Sequence, residues 1–348
     1  MLKMIRSPIM TDTLRWGILG TGNIARQFAT GLNTSRRSRP SAVGSRTQAA
    51  ADAFAQTYRV PAACPTYDQV LADRNVDAVY VSLPNSMHHE WAIKALHAGK
   101  HVLCEKPFAV NATQSQEMFD VARRAGLVLI EAFMYRTHPL TLAVIQAVRD
   151  GAVGQVKLIR TSFCYRTTRV AGNIRFSAEL AGGALMDIGC YCVNFSRLFA
   201  GEEPSAVQAV GHLHGGIDDL AAATLLFPGG IVATMSCGMT VQADNTAYVC
   251  GSEGYIEIPV PWKPPQARAV FTMARGGAPR MDSAASQAGA PPPRETRHVD
   301  AGADLYALEA DAFAAVVLDG QRPFVTPEDT LGNMRVLDEM RRQIGVSC

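Results

Sequence analysis

The stretch "GILGTGNIA", residues 17–25, decides the fold of this chain. It joins an apolar strand, "LRWGILG", to a segment with helical spacing, "NIARQFATGL", and places Gly20, Gly22 and Ala25 as G-x-G-x-x-A. In that pattern the first glycine permits a tight turn and the second lets the backbone approach a pyrophosphate, while the alanine keeps the helix close to the strand. Free N–H groups at the start of the helix then bind phosphates. The stretch therefore predicts a dinucleotide site.

The residues around this stretch alternate between strand and helix. Apolar strands are predicted over residues 14–20, 39–46, 76–84, 101–107 and from 127, with helices over 23–32, 48–58, 88–100 and 113–126. Buried strands that alternate with helices form a parallel sheet covered on both faces. The first part of the chain is therefore predicted to be an α/β, doubly wound Rossmann domain.

The pattern changes near residue 150, where longer strands with glycine turns follow one another. This texture predicts an α+β domain with a large, open, mostly antiparallel sheet. The Pro/Gly/Ala-rich stretch 264–299 is predicted to be an exposed loop. "TPEDTLGNMRVLDEMRRQI" begins with a threonine cap and a proline at the first helical position, which predicts a C-terminal helix. The predicted divisions are 12–135 for the dinucleotide domain, 136–325 for a substrate and oligomerisation domain, and 326–348 for the C-terminal helix.

Composition excludes several classes of function. The 348 residues carry 33 basic and 31 acidic side chains, a net charge of +2, so no electrostatic footprint for nucleic acid or an anionic membrane is present. No apolar run is long enough to span a bilayer, and no signal peptide is recognisable. Eight cysteines include no C-x-x-C pair, which predicts no metal site and a reduced, cytoplasmic protein. The N-terminus is predicted to be a loose extension, with the true start at Met4 or Met10.

The end of the second strand bears on which dinucleotide is bound. An NAD site usually has an acid there, whereas this strand ends in Ser45 and Arg46. An arginine attracts a 2′-phosphate, so these residues predict NADP rather than NAD, with NAD still possible. Arg36, Arg37 and Arg39 precede the strand and either add positive potential or are solvated loop charges.

Two further stretches carry chemistry. In "HVLCEKPFAV", Lys106 follows a buried strand and precedes Pro107, which restricts its backbone, at the sheet edge where open α/β sheets bind ligands. Glu105 is either a partner of that lysine or a group that anchors the backbone. In "GGALMDIGCYCVN", Asp187 and Tyr191 are spaced i, i+4 on an apolar helix. They are either a structural hydrogen-bonded pair or a substrate-anchoring carboxylate with a general acid/base.

Together these stretches resemble the glucose–fructose oxidoreductase / inositol dehydrogenase / MocA-like family, from about Leu14 to Gln343. The carrying sequences are "GILGTGNIA", "SLPNSMHHEWAIKALHAGKHVLCEKP", "EAFMYRTHP" and "GGALMDIGCYCVN". The resemblance implies a Rossmann domain, a second domain whose open sheet forms a homodimer or homotetramer, and a C-terminal helix that packs back on the first domain.

The resemblance also implies site residues. Lys106 matches the catalytic lysine and Asp187 the substrate-orienting carboxylate, while Tyr191 falls where many members carry histidine. Tyrosine there is typical of the branch with aldose dehydrogenases and dimeric dihydrodiol dehydrogenase. The full set of cofactor-binding residues expected is Gly20, Gly22, Asn23, Ile24, Ser45, Arg46, Pro84, Asn85, His88, Glu105, Lys106 and Arg136.

The expected reaction is reversible hydride transfer between nicotinamide and a carbinol or carbonyl carbon of a sugar or polyol. A lysine cation beside Tyr191 is expected to lower the phenol's pKa so that it works as acid/base, although Lys106 itself could donate the proton. Tyr165, Arg166, Trp262 and residues near Phe176 are candidates for the pocket wall. Three alternatives stay open: a trans-dihydrodiol dehydrogenase, a non-catalytic NADP-sensing regulator, and an enzyme that retains its cofactor while cycling between two sugars.

Overall fold

The computed structural model describes residues 13–276 and 293–346, which form two sheets. The first sheet contains β1 (Leu14–Leu19), β2 (Ser38–Gly44), β3 (Ala62–Cys64), β4 (Ala78–Val81), β5 (His101–Glu105) and β6 (Leu129–Ala132). Its strands are all parallel in the order β3-β2-β1-β4-β5-β6, which confirms the predicted Rossmann architecture. The carboxyl ends of β1, β4 and β5 therefore lie along one edge of the sheet.

Helices cover both faces of this sheet. They are α1 (Asn23–Thr34), α2 (Gln48–Tyr58), α3 (Tyr67–Ala72), α4 (His88–His97) and α5 (Ala112–Ala125). The central strands are mostly apolar because both faces are covered; Trp16 and Ile18 of β1 are fully buried. The Thr47 and Asn111 side chains cap α2 and α5 by accepting from Ala50 N and Gln114 N.

The second sheet has eight strands and is mostly antiparallel, as predicted. Its strands are β7 (Val156–Cys164), β8 (Ala206–His214), β9 (Ile217–Leu226), β10 (Val232–Gly238), β11 (Ala247–Gly251), β12 (Gly254–Ile258), β13 (Ala269–Arg275) and β14 (Arg294–Val299). The order is β14-β13-β12-β11-β7-β10-β9-β8, and β7 and β10 form the one parallel pair among its described strands.

The prediction of a loop over 264–299 was wrong at both ends, because β13 and β14 pair with each other inside that stretch. Along β13, buried residues mostly alternate with half-buried ones, as in a strand. The proline and glycine around this short strand obscured the pattern in the sequence. Residues 277–292 lie outside the described residues, as do Met4 and Met10.

Four α-helices follow β6 in the described part of the chain. They are α6 (Pro139–Arg149), α7 (Cys190–Ala200), α8 (Leu305–Asp319) and α9 (Pro327–Ile344). The side chain of Thr326 accepts from Asp329 N at the start of α9, so the predicted threonine cap is present. None of the helices within the described ranges is long and apolar enough to cross a membrane.

Both C-terminal helices reach the first sheet's helices. A Cβ on Gly31 of α1 would lie 2.7 Å from Tyr306 Cβ, so α8 packs against α1 at a distance that glycine permits. On α9, Asp338 accepts from Ala112 N at 2.8 Å, while Gln343 binds the backbone of β8. The helix α9 therefore contacts both halves of the molecule.

Candidate active site

The glycine loop presents open backbone amides at the start of α1. Gly20 has φ +102°, which a residue with a Cβ rarely adopts, and turns the chain out of β1. Gly22 precedes α1, where no side chain caps the first amides and no acid occupies the first turn, beginning at Asn23 and Ile24. A Cβ on Gly22 would meet nothing within 4 Å. The free N–H groups and the open space fit a dinucleotide phosphate.

The end of β2 presents hydroxyl groups and a cation. Ser45 is buried with its Oγ 3.3 Å from Thr21 Oγ1 of the glycine loop, and Arg46 is exposed beside it. No carboxylate follows Gly44, so nothing at this position repels a phosphate.

The three arginines at the start of β2 do not contribute to the Ser45 end of the strand. β2 runs from Ser38 to Gly44, so Arg36, Arg37 and Arg39 stand at its opposite end. Arg37 pairs with Asp319, and Arg39 Nη1 donates to the carbonyls of Ser35 and Ser38. The reading of these arginines as loop charges, rather than as part of a phosphate site, is the one that fits.

The segment after β4 contains three of the predicted cofactor residues, with different surroundings. Pro84 is half-buried, and Asn85 begins a short 3-10 helix and donates to Ala181 O across to the second half. His88 is fully buried, with Nδ1 2.9 Å from Pro107 O and Nε2 2.8 Å from Leu83 O. Since both ring nitrogens face carbonyls, His88 joins the backbone of this segment to the turn after β5.

The turn after β5 is held from several sides. Glu105 is buried; it accepts from Tyr80 OH and from the amide N of Lys106, the latter at 3.2 Å. The Lys106–Pro107 peptide is cis. Phe108 N donates to Glu131 Oε1 of β6 at 3.1 Å. Of the two roles open for Glu105, the anchoring of the backbone is the one seen.

Lys106 is paired with Asp187, which lies 81 residues further along the chain. Its Nζ donates to Asp187 O at 2.7 Å and to Asp187 Oδ1 at 3.2 Å, and both side chains are largely buried. Burial is the largest single influence and would lower the pKa of Lys106, but Asp187, Cys190 and Glu105 together outweigh it and raise the pKa. Lys106 is therefore a cation and a hydrogen-bond donor at neutral pH.

Asp187 accepts from two further side chains. Tyr165 OH and Arg175 Nε each donate to Asp187 Oδ2 at 2.8 Å. Burial by itself would raise the pKa of Asp187, but Lys106 and then Arg175 more than offset it and lower the pKa. Asp187 is thus a carboxylate that orients several donors around Lys106.

Tyr191 lies beside this pair but does not bond to it. Residues Leu185–Gly189 form a π-helix before α7, so the i, i+4 argument, which assumes a regular α-helix, does not describe this turn. The buried Tyr191 hydroxyl donates to Met134 Sδ at 3.3 Å, and Lys106 Nζ lies 5.4 Å from the ring centroid.

The expected effect of Lys106 on the phenol was wrong. Burial, and then the charge of Glu105, raise the pKa of Tyr191 well above its usual value. The neighbouring rings of Phe163 and Trp262 lie 5.5 and 6.1 Å from that of Tyr191 and account for its dry surroundings. Tyr191 is therefore a neutral phenol at neutral pH.

Asp218 is a residue that sequence reasoning missed. It is fully buried at the start of β9 and accepts from Leu185 N at 2.6 Å, which holds the start of the π-helix. A Cβ on Gly183, which has φ +119°, would lie 2.3 Å from Asp218 Oδ1. The paired glycines at 182 and 183 were the only signal in the sequence, since they mark a close approach by an unspecified partner.

Arg136 forms hydrogen bonds with residues of α7 and α9. Its Nη1 donates to Asn194 Oδ1 at 3.0 Å and to Asp329 Oδ2 at 2.7 Å at the start of α9. Within the described ranges, no hydrogen bond joins it to the glycine loop or to Lys106. Its cofactor role stays a prediction. The same ranges contain no group of three metal-ligating side chains.

The geometry therefore places a lysine cation, an orienting carboxylate and a neutral phenol beside the turn that follows β5. This turn lies on the same sheet edge as the glycine loop. Such a set can polarise a carbonyl, bind hydroxyl groups and exchange a proton next to a bound dinucleotide.

Comparisons with known proteins agree with this geometry. The model of the oxidoreductase family with an NAD-binding Rossmann fold, GFO_IDH_MocA, matches residues 14–133, and the GFO/IDH/MocA C-terminal domain matches residues 141–257. A trans-1,2-dihydrobenzene-1,2-diol dehydrogenase of Mus musculus is 35% identical over 72% of this chain and 76% of its own. The D-xylose 1-dehydrogenase (NADP(+)) 2 of Haloferax volcanii is 33% identical over 93% of this chain and 95% of its own.

A solved structure is similar over almost the whole length. KijD10, a 3-ketoreductase from Actinomadura kijaniata in complex with NADP and TDP-benzene, has a TM-score of 0.83 and 30% identity over 95% of this chain and 98% of its own. The family models that match the two halves of the chain and the similar proteins therefore indicate the same family. This chain belongs to the GFO/IDH/MocA oxidoreductase family, with an NAD-binding Rossmann domain.

Proposed function

We propose that this protein is an NADP-dependent oxidoreductase that transfers a hydride between nicotinamide and a carbinol or carbonyl carbon of a sugar or polyol. The observation that carries the proposal is the Lys106–Asp187 pair, held at the carboxyl edge of the parallel sheet beside the glycine loop. The names of the similar xylose dehydrogenase and ketoreductase support a sugar-type substrate and NADP. Ser45 and Arg46, with no acid after β2, support NADP over NAD.

Each of these side chains has a separate role in the proposed hydride transfer. Bound nicotinamide supplies or accepts the hydride. Lys106 is protonated at neutral pH and donates a hydrogen bond to the reacting oxygen, where it stabilises negative charge. Asp187 accepts from a neighbouring substrate hydroxyl, which fixes the carbon that reacts.

The proton of the reacting hydroxyl is exchanged with Tyr191 or with Lys106. Because both groups have raised pKa values, each suits giving a proton to a carbonyl better than taking one from an alcohol at neutral pH. For Tyr191 to act, its hydroxyl must leave Met134 Sδ. We therefore expect oxidation to accelerate from pH 7 to pH 10, whereas reduction should not gain from the same change.

A trans-dihydrodiol dehydrogenase is the second candidate. The ring of Phe163 stacks on that of Trp262 at 5.6 Å, and Tyr191 lies beside both, so an aromatic cluster borders Lys106. The similar mouse enzyme supports this substrate class. A non-catalytic NADP sensor would not need the lysine, the carboxylate and the phenol together.

Absorbance at 340 nm separates these possibilities. NADP and NAD are each tested with aldoses, polyols and trans-dihydrodiols, and NADPH is tested with keto-sugars. Turnover of an aldose, polyol or keto-sugar with preference for NADP supports the proposal, and turnover of dihydrodiols alone supports the second candidate. NADPH binding without turnover of any of these compounds favours the sensor or an enzyme that retains its cofactor.

We also propose a cytoplasmic homodimer or homotetramer assembled through the second sheet. The outer face of β8 and β9 exposes Val210, Leu220 and Leu226, with 72%, 38% and 45% of their surface accessible. Adjacent exposed apolar residues on a sheet favour association with another copy. Light scattering after size exclusion measures the mass, and a monomer at micromolar concentration would contradict this part of the proposal.

A further inference from the structure

Positive charge is concentrated around Lys106 and only partly neutralised. Arg175 and Lys263 both interact electrostatically with Lys106 and Asp187. Burial lowers the pKa of Lys263, and Lys106 and Arg175 lower it further, against the opposing effect of Glu105 and Asp187. Lys263, an exposed residue, therefore lies in the positive potential of Lys106 and Arg175.

The nearby carboxylates are already engaged. Asp187 accepts from Lys106, Tyr165 and Arg175, and Glu105 accepts from Tyr80 and from the Lys106 amide. Within residues 13–276 and 293–346, Lys263 makes no ion pair; its Nζ donates only to the neutral Gln27 Oε1, at 3.4 Å.

Arg175 also has donor capacity left. Its Nε bonds to Asp187, whereas its two terminal nitrogens make no hydrogen bond to any described residue, and the side chain is 47% exposed. A guanidinium has five N–H donors and a bidentate pair uses two of them, so the terminal nitrogens of Arg175 can still bind a second anion.

The backbones that carry these two cations are fixed. Trp262, next to Lys263, is buried and donates from Nε1 to Ser162 O at 2.9 Å. Arg175 O accepts from Gly183 N at 2.9 Å, and a Cβ on Gly182 would lie 2.3 Å from the same oxygen. Arg175 and the exposed Lys263 thus stand on fixed backbones beside Lys106, where their positive charge can attract an anion from solvent.

We propose that Arg175 and Lys263 bind an oxyanion carried by the substrate, so that the sugar that reacts here bears a carboxylate or a phosphate group. This inference rests on the proposed function and narrows its substrate class. The rival anion for Lys263 is the diphosphate of the cofactor, because Gln27 lies on α1, the helix that follows the glycine loop.

The first experiment compares neutral and charged sugars. The ratio of kcat/KM is measured for D-glucuronate and for glucose 6-phosphate, each against D-glucose, with NADP as cofactor. We expect a preference of about tenfold or more for one charged sugar, and its decline as ionic strength rises. A preference for glucuronate identifies a carboxylate, and a preference for the ester identifies a phosphate.

Variants then assign the preference to residues. R175Q and K263Q should each reduce that ratio by about tenfold, since each loses a charge-assisted contact. K157Q removes an exposed lysine of β7 and should leave the ratio unchanged. The ratio, rather than the rate, is the readout because R175Q also removes a partner of Asp187 and slows neutral sugars.

Two binding measurements keep the inference testable without turnover. NADPH fluorescence should show equal affinity for the wild type and K263Q, and titration calorimetry should show D-gluconate or inorganic phosphate binding to the NADPH complex more weakly in both variants. Weaker NADPH binding by K263Q with an unchanged sugar ratio would assign Lys263 to the cofactor and overturn the inference. Turnover without charge preference, or no anion binding, also overturns it. Absence of turnover for every sugar contradicts the proposed function instead, and anion binding then decides the inference alone.

Discussion

Between pH 5 and pH 9, ionisation linked to Glu131 should lower the free energy of unfolding by about 4 kcal/mol. Replacing Glu131 by glutamine should remove this loss. Glu131 is fully buried on β6, and its Oε1 accepts from Phe108 N at 3.1 Å, directly after the Lys106–Pro107 peptide. Burial raises its pKa from 4.5 to about 8, more than its hydrogen bonds compensate. At about 1.4 kcal/mol per pKa unit, this difference in pKa corresponds to about 5 kcal/mol of stability. About 1 kcal/mol of that stability is already lost at pH 5.

The sign follows from where the proton is held. Because the pKa is higher in the folded state, the folded protein keeps the proton that the unfolded chain releases above pH 4.5. Stability therefore falls as pH rises from about 4.5 to about 8, and glutamine, which does not titrate, removes that fall.

Urea unfolding of the wild type and E131Q at pH 5, 7 and 9 measures the effect. At each pH, the free energy of unfolding of E131Q is subtracted from that of the wild type. The change of this difference with pH is the result, because any packing cost of glutamine is the same at every pH and cancels. E339Q is the control, because Glu339 is exposed on α9 and Arg342 lowers its pKa to about 2, below the range tested. A difference between wild type and E131Q that stays constant from pH 5 to pH 9 would refute the reasoning.

Three other substitutions test the site. K106M should lower turnover more than about tenfold while NADPH fluorescence reports unchanged binding, and near-wild-type turnover would remove Lys106 from the chemistry. Y191F should lower turnover by a similar factor and flatten the rise of oxidation between pH 7 and pH 10; a rise that persists in Y191F assigns the proton to Lys106. R46E should lower the ratio of kcat/KM for NADP over NAD by about tenfold or more, and an unchanged ratio would place the 2′-phosphate elsewhere.

Periodicity was sufficient for five of the six strands of the first sheet because most of their residues are buried. The helix over 48–58 has the predicted bounds. Short elements such as β3 and α3 were missed, since three to six residues carry too little pattern to identify.

The candidate site was predictable in its members but not in its contacts. Lys106 and Asp187 each stood out locally, yet these two residues, 81 positions apart in the chain, meet only because the second sheet docks beside the first. The same docking brings Tyr165 and Arg175 into hydrogen-bond distance of Asp187. It also places Asp218 where it accepts from the backbone at the start of the π-helix. A local spacing rule also fails where the helix itself is irregular, as it is at Tyr191.

The adjacent charges Glu105 and Lys106 illustrate why neighbouring residues need not be partners. In extended backbone, successive side chains point to opposite sides, so Glu105 turns to Tyr80 inside the first sheet while Lys106 turns to Asp187 of the second half. The Glu105 carboxylate accepts a hydrogen bond from the Lys106 amide rather than from its ammonium group, while Asp187 of the other half raises the pKa of the lysine more than Glu105 does. If the two halves separate, Lys106 therefore loses the carboxylate that raises its pKa while its own backbone stays in place. The hydrogen bonds of Asn85 to Ala181 and of α9 to both halves then matter for catalysis as well as for stability, because they keep that carboxylate within reach of the lysine.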